Sequence, residues 1–288
     1  MVSNNSISPS SCLFFNQKYA KIQQFENFQQ FEEGGITICF NILGRQAFSL
    51  PKSPFGGFFT YNANKTELFR FYANVETSLR KIGVDQIEIT QPQSVYPSIP
   101  KPWMVELGFE ISRIEIGHYL PLKGSLTSQI HQMEKRKLKR SLQFLIAEED
   151  PANLLEISTF IAECRKHQGL EINVSHEKLQ AQFLAFPDRY KLFTARKDSE
   201  LMSAVIMNQP TDKIAYYFLP GTLPKFRKLS PMVGLIGSIF SHYQEAGFDY
   251  IDFGISSILE VPQSSLITFK EHMGGVRNER ITYSKLLI

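Results

Sequence analysis

The hydrophobic pattern of residues 79–89 recurs 164 residues later, at 243–253. Each stretch has the pattern of the end of an amphipathic helix, followed by a glycine (Gly83 or Gly247) and a short strand. Glycine is common just after a helix because it adopts the left-handed conformation without strain. The recurrence predicts that the chain contains two related units.

The flanking sequences extend the repeat in both directions. Upstream of each helix, alternating apolar residues predict strands, and downstream a short helix precedes a strand-like tail. The predicted order of elements in each half is therefore strand, strand, strand, long helix, strand, short helix, strand. The paired segments are 36–48 with 190–218, 103–108 with 269–274, and 111–122 with 280–288.

The long helix of the second half has the clearest predicted start in the sequence. Ser230 suits the N-cap, and Pro231 suits the first helical position, where a missing amide hydrogen costs nothing. Between the halves, the pattern predicts a basic helix over 125–144 and further helices over 153–168 and 175–186. We assign these helices to the second half. The predicted units are then 1–123, with a loose tail at 1–12, and 124–288.

Composition narrows the possible classes of protein. The 288 residues are 43% hydrophobic and 20% charged, as in globular proteins, and the net charge of +3 is too small to predict nucleic-acid binding over the whole surface. Cys12, Cys39 and Cys164 form no disulfide or zinc pattern, so no metal is expected. Neither a stretch of about 20 apolar residues nor a secretion signal is evident, which favours a cytoplasmic protein.

The basic helix combines a cationic face with an apolar side. Such a face could grip the phosphates of a tRNA or of coenzyme A. A solvated helix face is the alternative that the pattern favours. The cations are Lys135, Arg136, Lys139 and Arg140, and the apolar residues are Met133, Leu138, Leu142 and Leu145.

Five short segments, in this order along the chain, resemble those of a known group of proteins. The segments are 50–57, 136–141, 228–231, 250–254 and 267–275. From about residue 35 onward the chain resembles the tandem acetyltransferase-fold proteins related to the Fem peptidyltransferases (FemAB/FemX-like). The resemblance implies an α/β fold of two GNAT (GCN5-related N-acetyltransferase) units, each a mixed, largely antiparallel sheet flanked by helices. It also implies transfer of an acyl or aminoacyl group from coenzyme A or a charged tRNA to an amine.

Three candidate catalytic residues lie near the C-terminus. The resemblance places a Phe-Lys pair beside the reacting centre, so Lys270 could stabilise the donor's phosphate or the developing oxyanion. His272 could take a proton from the attacking amine, and Asp252 could orient that base or bind the amine. The alternatives are a surface lysine, an ordinary histidine, and an aspartate that caps Ser256-Ser257.

The donor and the acceptor have separate candidate sites. The turn before Pro231 could hold a phosphate on the helix N-terminus, with Arg227, Lys228 and Ser230 as donor-binding residues, or it could be a solvated basic turn. We interpret Phe55-Gly56 as a close backbone approach between the two halves. Together with Tyr217, it is a candidate lining of the acceptor cleft.

The sequence is compatible with two functions. The first is an N-acyltransferase that uses an acyl-coenzyme A or charged tRNA donor, tRNA being less favoured, and attacks directly an amine-bearing small molecule or cell-envelope precursor. The second is a catalytically silent tandem-GNAT module that binds such a precursor or a partner protein. Residues 225–231 lack the glycines that GNAT units usually have before the long helix, and this departure favours the silent module.

Overall fold

The computed structural model describes residues 12–50, 53–62, 64–172, 174–258 and 260–287. These residues divide into two compact units. One comprises the residues up to Ile116 together with those from Asn278 onward, and the other comprises Gly117–Arg277. Most of the predicted tail, and Pro51-Lys52 of the resemblance, lie outside the described residues. Cys12, predicted as the end of that tail, is fully buried.

Helices and strands alternate along the chain. The helices are α1 (Gln17–Gln23), α2 (Lys65–Lys81), α3 (Lys101–Glu106), α4 (Leu126–Gln129), α5 (Gln132–Arg140), α6 (Leu154–Lys166), α7 (His176–Ala185), α8 (Pro231–Glu245) and α9 (Ser264–His272). The strands are β1 (Phe28–Glu33), β2 (Ile36–Leu43), β3 (Gln46–Phe48), β4 (Phe59–Thr60), β5 (Gln86–Thr90), β6 (Glu110–Pro121), β7 (Leu145–Glu149), β8 (Tyr190–Lys197), β9 (Glu200–Asn208), β10 (Ile214–Thr222), β11 (Tyr250–Ile255), β12 (Ser257–Ile258), β13 (Val261–Pro262) and β14 (Val276–Leu286).

The first unit is built on the strand order β1-β2-β3-β5-β14-β6, with β4 paired to β2. β3 and β5 run parallel, whereas β1/β2, β2/β3 and β5/β14 are antiparallel. α2 packs on this sheet through an apolar stripe that recurs every three or four residues, as the helical period requires. The stripe consists of Leu68, Phe71, Tyr72, Val75 and Leu79, all buried in the core.

The second unit repeats this plan with the order β6-β11-β10-β9-β8-β7. β10 and β11 run parallel, and the neighbouring pairs are antiparallel. α8 packs on the sheet and also lies close to the end of α5. Gly234 faces Ser141 and Gly237 faces Leu138 at distances that leave no room for a side chain on either glycine. The described part of the chain holds no helix long and apolar enough to cross a membrane.

The predicted duplication is visible in matched backbone hydrogen bonds. The amides of Asp85 and Gln86 both donate to the Arg45 carbonyl, and the amides of Asp249 and Tyr250 both donate to the Lys213 carbonyl. The paired glycines Gly83 and Gly247, and likewise Gly108 and Gly274, all have positive φ. The predicted fold class, mixed sheets flanked by helices in two GNAT-like units, is confirmed.

The division of the chain differs from the predicted boundary at 123/124. β14 pairs with β5 in the first unit, where the Leu287 amide donates to the Asp85 carbonyl (2.7 Å). The end of β6 pairs with β11 in the second unit, where the Leu122 amide donates to the Asp249 carbonyl (2.9 Å). The two tails have equivalent patterns, so either could complete either sheet. Each half of the sequence thus supplies the last strand of the other unit.

Candidate functional site

The parallel strands β10 and β11 part from each other halfway along their length. Their pairing runs from Ile214↔Tyr250 to Tyr216↔Asp252 and ends there, although β10 continues to Thr222 and β11 to Ile255. Both strands are also irregular at this point against their other neighbours. The pairing therefore ends where both strands are irregular, and no residue of β10 beyond Tyr216 is paired with a residue of β11 beyond Asp252. We call the unpaired stretch between residues 217–222 and 253–255 the opening.

Aromatic side chains form the closed end of this opening. Tyr217 and Phe253, each the first residue beyond the last pair, meet edge to face with ring centroids 5.5 Å apart. The Tyr217 hydroxyl donates to Met232 Sδ (2.8 Å), so the first turn of α8 packs beside the point where the strands separate. Burial raises the pKa of the Tyr217 phenol, which therefore stays neutral. Tyr217 thus lies at the opening within the second unit.

Lys270 is buried at the end of β11. Its Nζ donates to the carbonyls of Gly254 (3.1 Å) and Ile255 (2.7 Å), and the residue is only 4% exposed. Burial lowers the pKa of this ammonium to about 7, and the nearby Asp252 carboxylate opposes the shift. The alternative of a surface lysine is wrong, and the charge of Lys270 can change near neutral pH.

Asp252 supports the same turn of β11. It is 1% exposed, and its Oδ1 accepts a hydrogen bond from the Gly254 amide (2.7 Å). Gly254 has a φ of +66°, and a Cβ there would lie 3.2 Å from the Tyr216 hydroxyl, so only glycine fits without strain. The carboxylate therefore holds the backbone whose carbonyls receive Lys270.

His272 does not join this group. Its ring stacks on His131 with centroids 4.3 Å apart, and its Nδ1 lies 3.8 Å from Oε1 of the buried Glu134. Residues two apart on a helix point to different sides, so α9 directs Lys270 and His272 to separate environments. The prediction that His272 acts as the base beside Asp252 is wrong in this arrangement.

A buried histidine that was not predicted, His118, lies beside Lys270. His118, on β6, is fully buried, with Nδ1 3.1 Å from Ser256 Oγ and Nε2 3.7 Å from Glu271 Oε1. Burial, followed by the charge of Lys270, lowers the pKa of His118, so the ring is neutral at pH 7. His118 sits in an ordinary alternating strand, and no sequence signal marks it.

The predicted donor-binding residues gather where α8 begins. Arg227 and Lys228 are exposed in a 3₁₀ turn, Pro224–Leu229. Ser230 occupies the N-cap position, but with a left-handed backbone (φ +54°) and no side-chain cap; its hydroxyl instead donates to the Arg227 carbonyl (3.4 Å). The prediction that Ser230 caps the helix by its side chain is wrong. The first turn of α8 contains no acidic residue, so no side chain within it offsets the partial positive charge of the helix N-terminus.

Arg165, at the end of α6, is a further cation that the sequence did not single out. Burial lowers the pKa of its guanidinium, and the hydroxyl groups of Tyr216 and Tyr217 on β10 oppose that shift. It forms no ion pair with any residue of the described ranges. Lys166 and His167 follow it at a polar helix end, so its sequence context resembles that of any solvated arginine.

Phe55 and Gly56 pack within the first unit. Phe55 is 1% exposed and packs among the rings of Phe14, Phe15, Phe59 and Tyr96. A Cβ at Gly56 would meet Leu50 Cγ at 2.7 Å, so the close approach predicted between the two halves lies within the first unit instead. The acceptor role of Phe55 and Gly56 stays a prediction.

The side chains that could ligate a metal are dispersed. Across the described ranges, no group of three or more histidine, cysteine, aspartate or glutamate side chains is arranged to hold a metal ion.

Comparison with known proteins agrees with the geometry. Residues 127–258 match the acetyltransferase (GNAT) domain family. The chain is similar in structure to FemX, with a TM-score of 0.71 and 12% identity over 94% of this chain and 91% of that one. No curated protein matches the chain in sequence.

Two further structures share the fold. One is the C-terminal domain of a putative lysylphosphatidylglycerol synthetase from Agrobacterium fabrum, with a TM-score of 0.61 and 15% identity over 93% of this chain and 86% of that one. The other is a tandem GNAT protein from the clavulanic acid biosynthesis pathway, with a TM-score of 0.51 and 10% identity over 88% and 81%. The predicted resemblance is thereby confirmed: residues 127–258 match the GNAT acetyltransferase domain family, and the chain shares its fold with FemX and with a tandem GNAT protein.

Proposed function

We propose that the second unit transfers an acyl group from a coenzyme A thioester, or an aminoacyl group from a charged tRNA, to an amine. Acyl transfer in general is supported by the GNAT domain match. The observation that carries the proposal is the opening between β10 and β11, which has the buried Lys270 at its far end and the start of α8 beside it.

The donor's phosphates would bind at the start of α8. Main-chain amides that lack a side-chain cap attract anions, and Arg227 and Lys228 add two cations beside them. The acyl chain would then enter the opening towards Tyr217 and Phe253. A coenzyme A thioester fits this layout better than a tRNA does, since it combines a diphosphate with a narrow extended arm.

Attack by the amine would be direct. The amine nitrogen adds to the acyl carbonyl carbon. When the intermediate collapses, the carbon–sulfur bond to the thiolate or the carbon–oxygen bond to the ribose breaks, and the proton that the amine loses passes to the leaving group. Negative charge develops on the carbonyl oxygen, and the Lys270 ammonium, two of whose three hydrogens are held by Gly254 and Ile255, supplies the opposing charge. Asp252 acts as a positioning residue because it holds Gly254.

The cysteines fit direct attack rather than an acyl-enzyme intermediate. Cys12, Cys39 and Cys164 are all buried. Burial raises the pKa of Cys39 and raises that of Cys164 to about 12, so neither thiol ionises readily. Free cysteines also suit the cytoplasmic location that we include in the proposal.

An amine-bearing small molecule or cell-envelope precursor is the proposed acceptor. FemX and a domain of a putative lysylphosphatidylglycerol synthetase share the fold, and the second name refers to the lipid lysylphosphatidylglycerol. This likeness supports an envelope precursor.

Donor binding can be tested by thermal unfolding in the presence of acetyl-coenzyme A, free coenzyme A or an aminoacyl-tRNA. At a donor concentration near 100 Kd we expect the melting temperature to rise by about 5 °C or more. The Lys270→Met variant should bind the donor but lose acyl transfer, whereas Lys197→Met, at an exposed position, should behave as the parent. If no donor shifts the melting temperature and Lys270→Met leaves acyl transfer unchanged, the silent binding module replaces the enzyme.

A further inference from the structure

Three of the four apolar residues named for the basic helix lie largely outside the core. The fourth, Leu138, packs inward against Gly237 of α8. Met133 is 47% exposed, Leu145 is 68% exposed, and Leu142, just beyond the end of α5, is 88% exposed. A single exposed apolar side chain is ordinary, but three within one short segment indicate an interaction surface.

Cations lie on the same surface of α5 as Met133. Arg136, Lys139 and Arg140 are exposed and, within the described residues, form no ion pair. Met133, Arg136, Lys137 and Arg140 follow one face of α5 at helical spacing and, with Lys139, line an open depression of about 660 Å³. The only acid of α5, Glu134, is buried, and its Oε1 accepts a hydrogen bond from Lys137 Nζ (2.8 Å). The face therefore presents positive charge and apolar side chains together.

We propose that this face docks on an anionic membrane surface. A lipid bilayer offers negative headgroups to the cations and an acyl layer to Leu142, Leu145 and Met133, which matches both properties of the face. Structured RNA would match only the cations. RNA-binding surfaces commonly stack bases on exposed aromatic rings, whereas Phe144, the aromatic residue of this segment, is buried.

Vesicle flotation tests the docking. The full chain is mixed with vesicles of phosphatidylcholine alone or with phosphatidylglycerol or phosphatidylserine added, at low and high salt. We expect binding to both anionic mixtures, weak binding to phosphatidylcholine, and loss of binding at high salt. Arg136→Gln combined with Arg140→Gln should lower partitioning by roughly 30-fold, and Leu142→Ser should lower it by roughly tenfold.

Matched variants control for charge and hydrophobicity. Lys166→Gln combined with Lys197→Gln removes the same charge from exposed positions elsewhere in the second unit, and Leu184→Ser removes a leucine that is 77% exposed. Both should bind anionic vesicles as the parent does. Equal losses in test and control variants, or no binding to anionic vesicles, would overturn the proposal. Binding to a mixed tRNA sample that Leu142→Ser leaves unchanged, without vesicle binding, would replace it with an RNA-binding face.

Discussion

The two units differ most at equivalent parallel strand pairs. In the first unit, the chain beyond β3 stays against β5: the Ser49 amide donates to the Glu88 carbonyl, and the amides of Gly56 and Gly57 donate to that of Thr90. In the second unit, β10 and β11 separate after Tyr216↔Asp252. The chain thus fills the gap between the parallel strands in the first unit, whereas the gap in the second unit stays open.

The residues at the ends of the two gaps also differ, because the one in the second unit is charged and the one in the first is neutral. At the position equivalent to Lys270 the first unit has Met104, fully buried, whose Sδ accepts a hydrogen bond from Gln91 Nε2 (3.0 Å). The long helices differ as well. Asn64 caps α2 by accepting from the Glu67 amide (2.9 Å), whereas α8 has no side-chain cap. Neutral packing in the first unit and positive charge in the second support the proposal that only the second unit binds an anionic donor.

Lys270→Met places in the second unit the residue that the first unit has at the equivalent position. We expect this variant to have the largest effect. Acyl transfer should fall roughly 100-fold or more, as when one oxyanion donor is removed. The fold should persist because a methionine occupies the equivalent buried place in the first unit. Steady-state kinetics and the unfolding midpoint measure the two effects. Unchanged turnover would remove Lys270 from the chemistry.

Met104→Lys is the reverse exchange, and it should destabilise the protein by about 3 kcal/mol or more. The group facing Met104 is the Gln91 amide nitrogen, which is a donor and cannot receive an ammonium. Urea unfolding measures the loss, with Met104→Leu as a control expected to cost less than about 1.5 kcal/mol. If Met104→Lys is as stable as Met104→Leu, the two positions are not as different as the contacts indicate.

The lowered pKa of Lys270 predicts a pH dependence that Lys270→Met should lack. Between pH 7 and the ordinary lysine value of 10.5 the unfolded chain binds more protons here than the folded chain, so stability rises with pH over this window. The slope should reach up to about 1.4 kcal/mol per pH unit. Acyl transfer, which needs the ammonium, should fall as the pH rises through 7. Equal slopes in parent and variant would show that Lys270 titrates normally.

Gly57→Ala tests whether the first unit's gap is tightly filled. A Cβ at Gly57 would lie 2.5 Å from Gln91 Oε1 and 3.0 Å from Ile89 Cγ2. We expect a loss of about 1–3 kcal/mol from overpacking, with acyl transfer by the second unit retained. A glycine with positive φ, such as Gly35, is not a suitable control, because alanine there would add backbone strain. Ala73→Gly, on the exposed face of α2, gives the scale of a simple helix effect, about 1 kcal/mol.

The helix starts should give the smallest difference. Asn64→Ala removes the cap of α2 and should cost about 1 kcal/mol. Ser230→Ala should leave stability nearly unchanged, because the Ser230 side chain does not cap α8. Thermal or urea unfolding of the two variants compares them directly. An equal cost at both positions would show that α8 is capped in solution.

Local features of the fold could be predicted from sequence, and pairings between distant segments could not. The helix, glycine and strand around Gly83 and Gly247 depend on neighbouring residues, and the structure has them as predicted. The exchange of the last strands depends on which distant edge each tail meets. Because β6 and β14 carry similar patterns, periodicity could not assign them.

The candidate site shows the same limit. Lys270 was identified through the resemblance, which places a Phe-Lys pair beside the reacting centre. His272 was misjudged because two residues of separation along α9 place it on another side of the helix. His118 and Arg165 come from a strand and a helix end with ordinary sequences, so only the folded chain brings them to Lys270 and Tyr217 respectively.

Hydrogen–deuterium exchange of the full chain with and without acetyl-coenzyme A tests most directly whether the second unit alone binds the donor. We predict slower exchange in residues 216–222, 231–234 and 251–256, where β10 and β11 separate and α8 begins. Residues 46–57 and 86–91 of the first unit should exchange at the same rate in both samples. Protection of those first-unit segments, or protection of both units alike, would contradict the assignment of the site to the second unit.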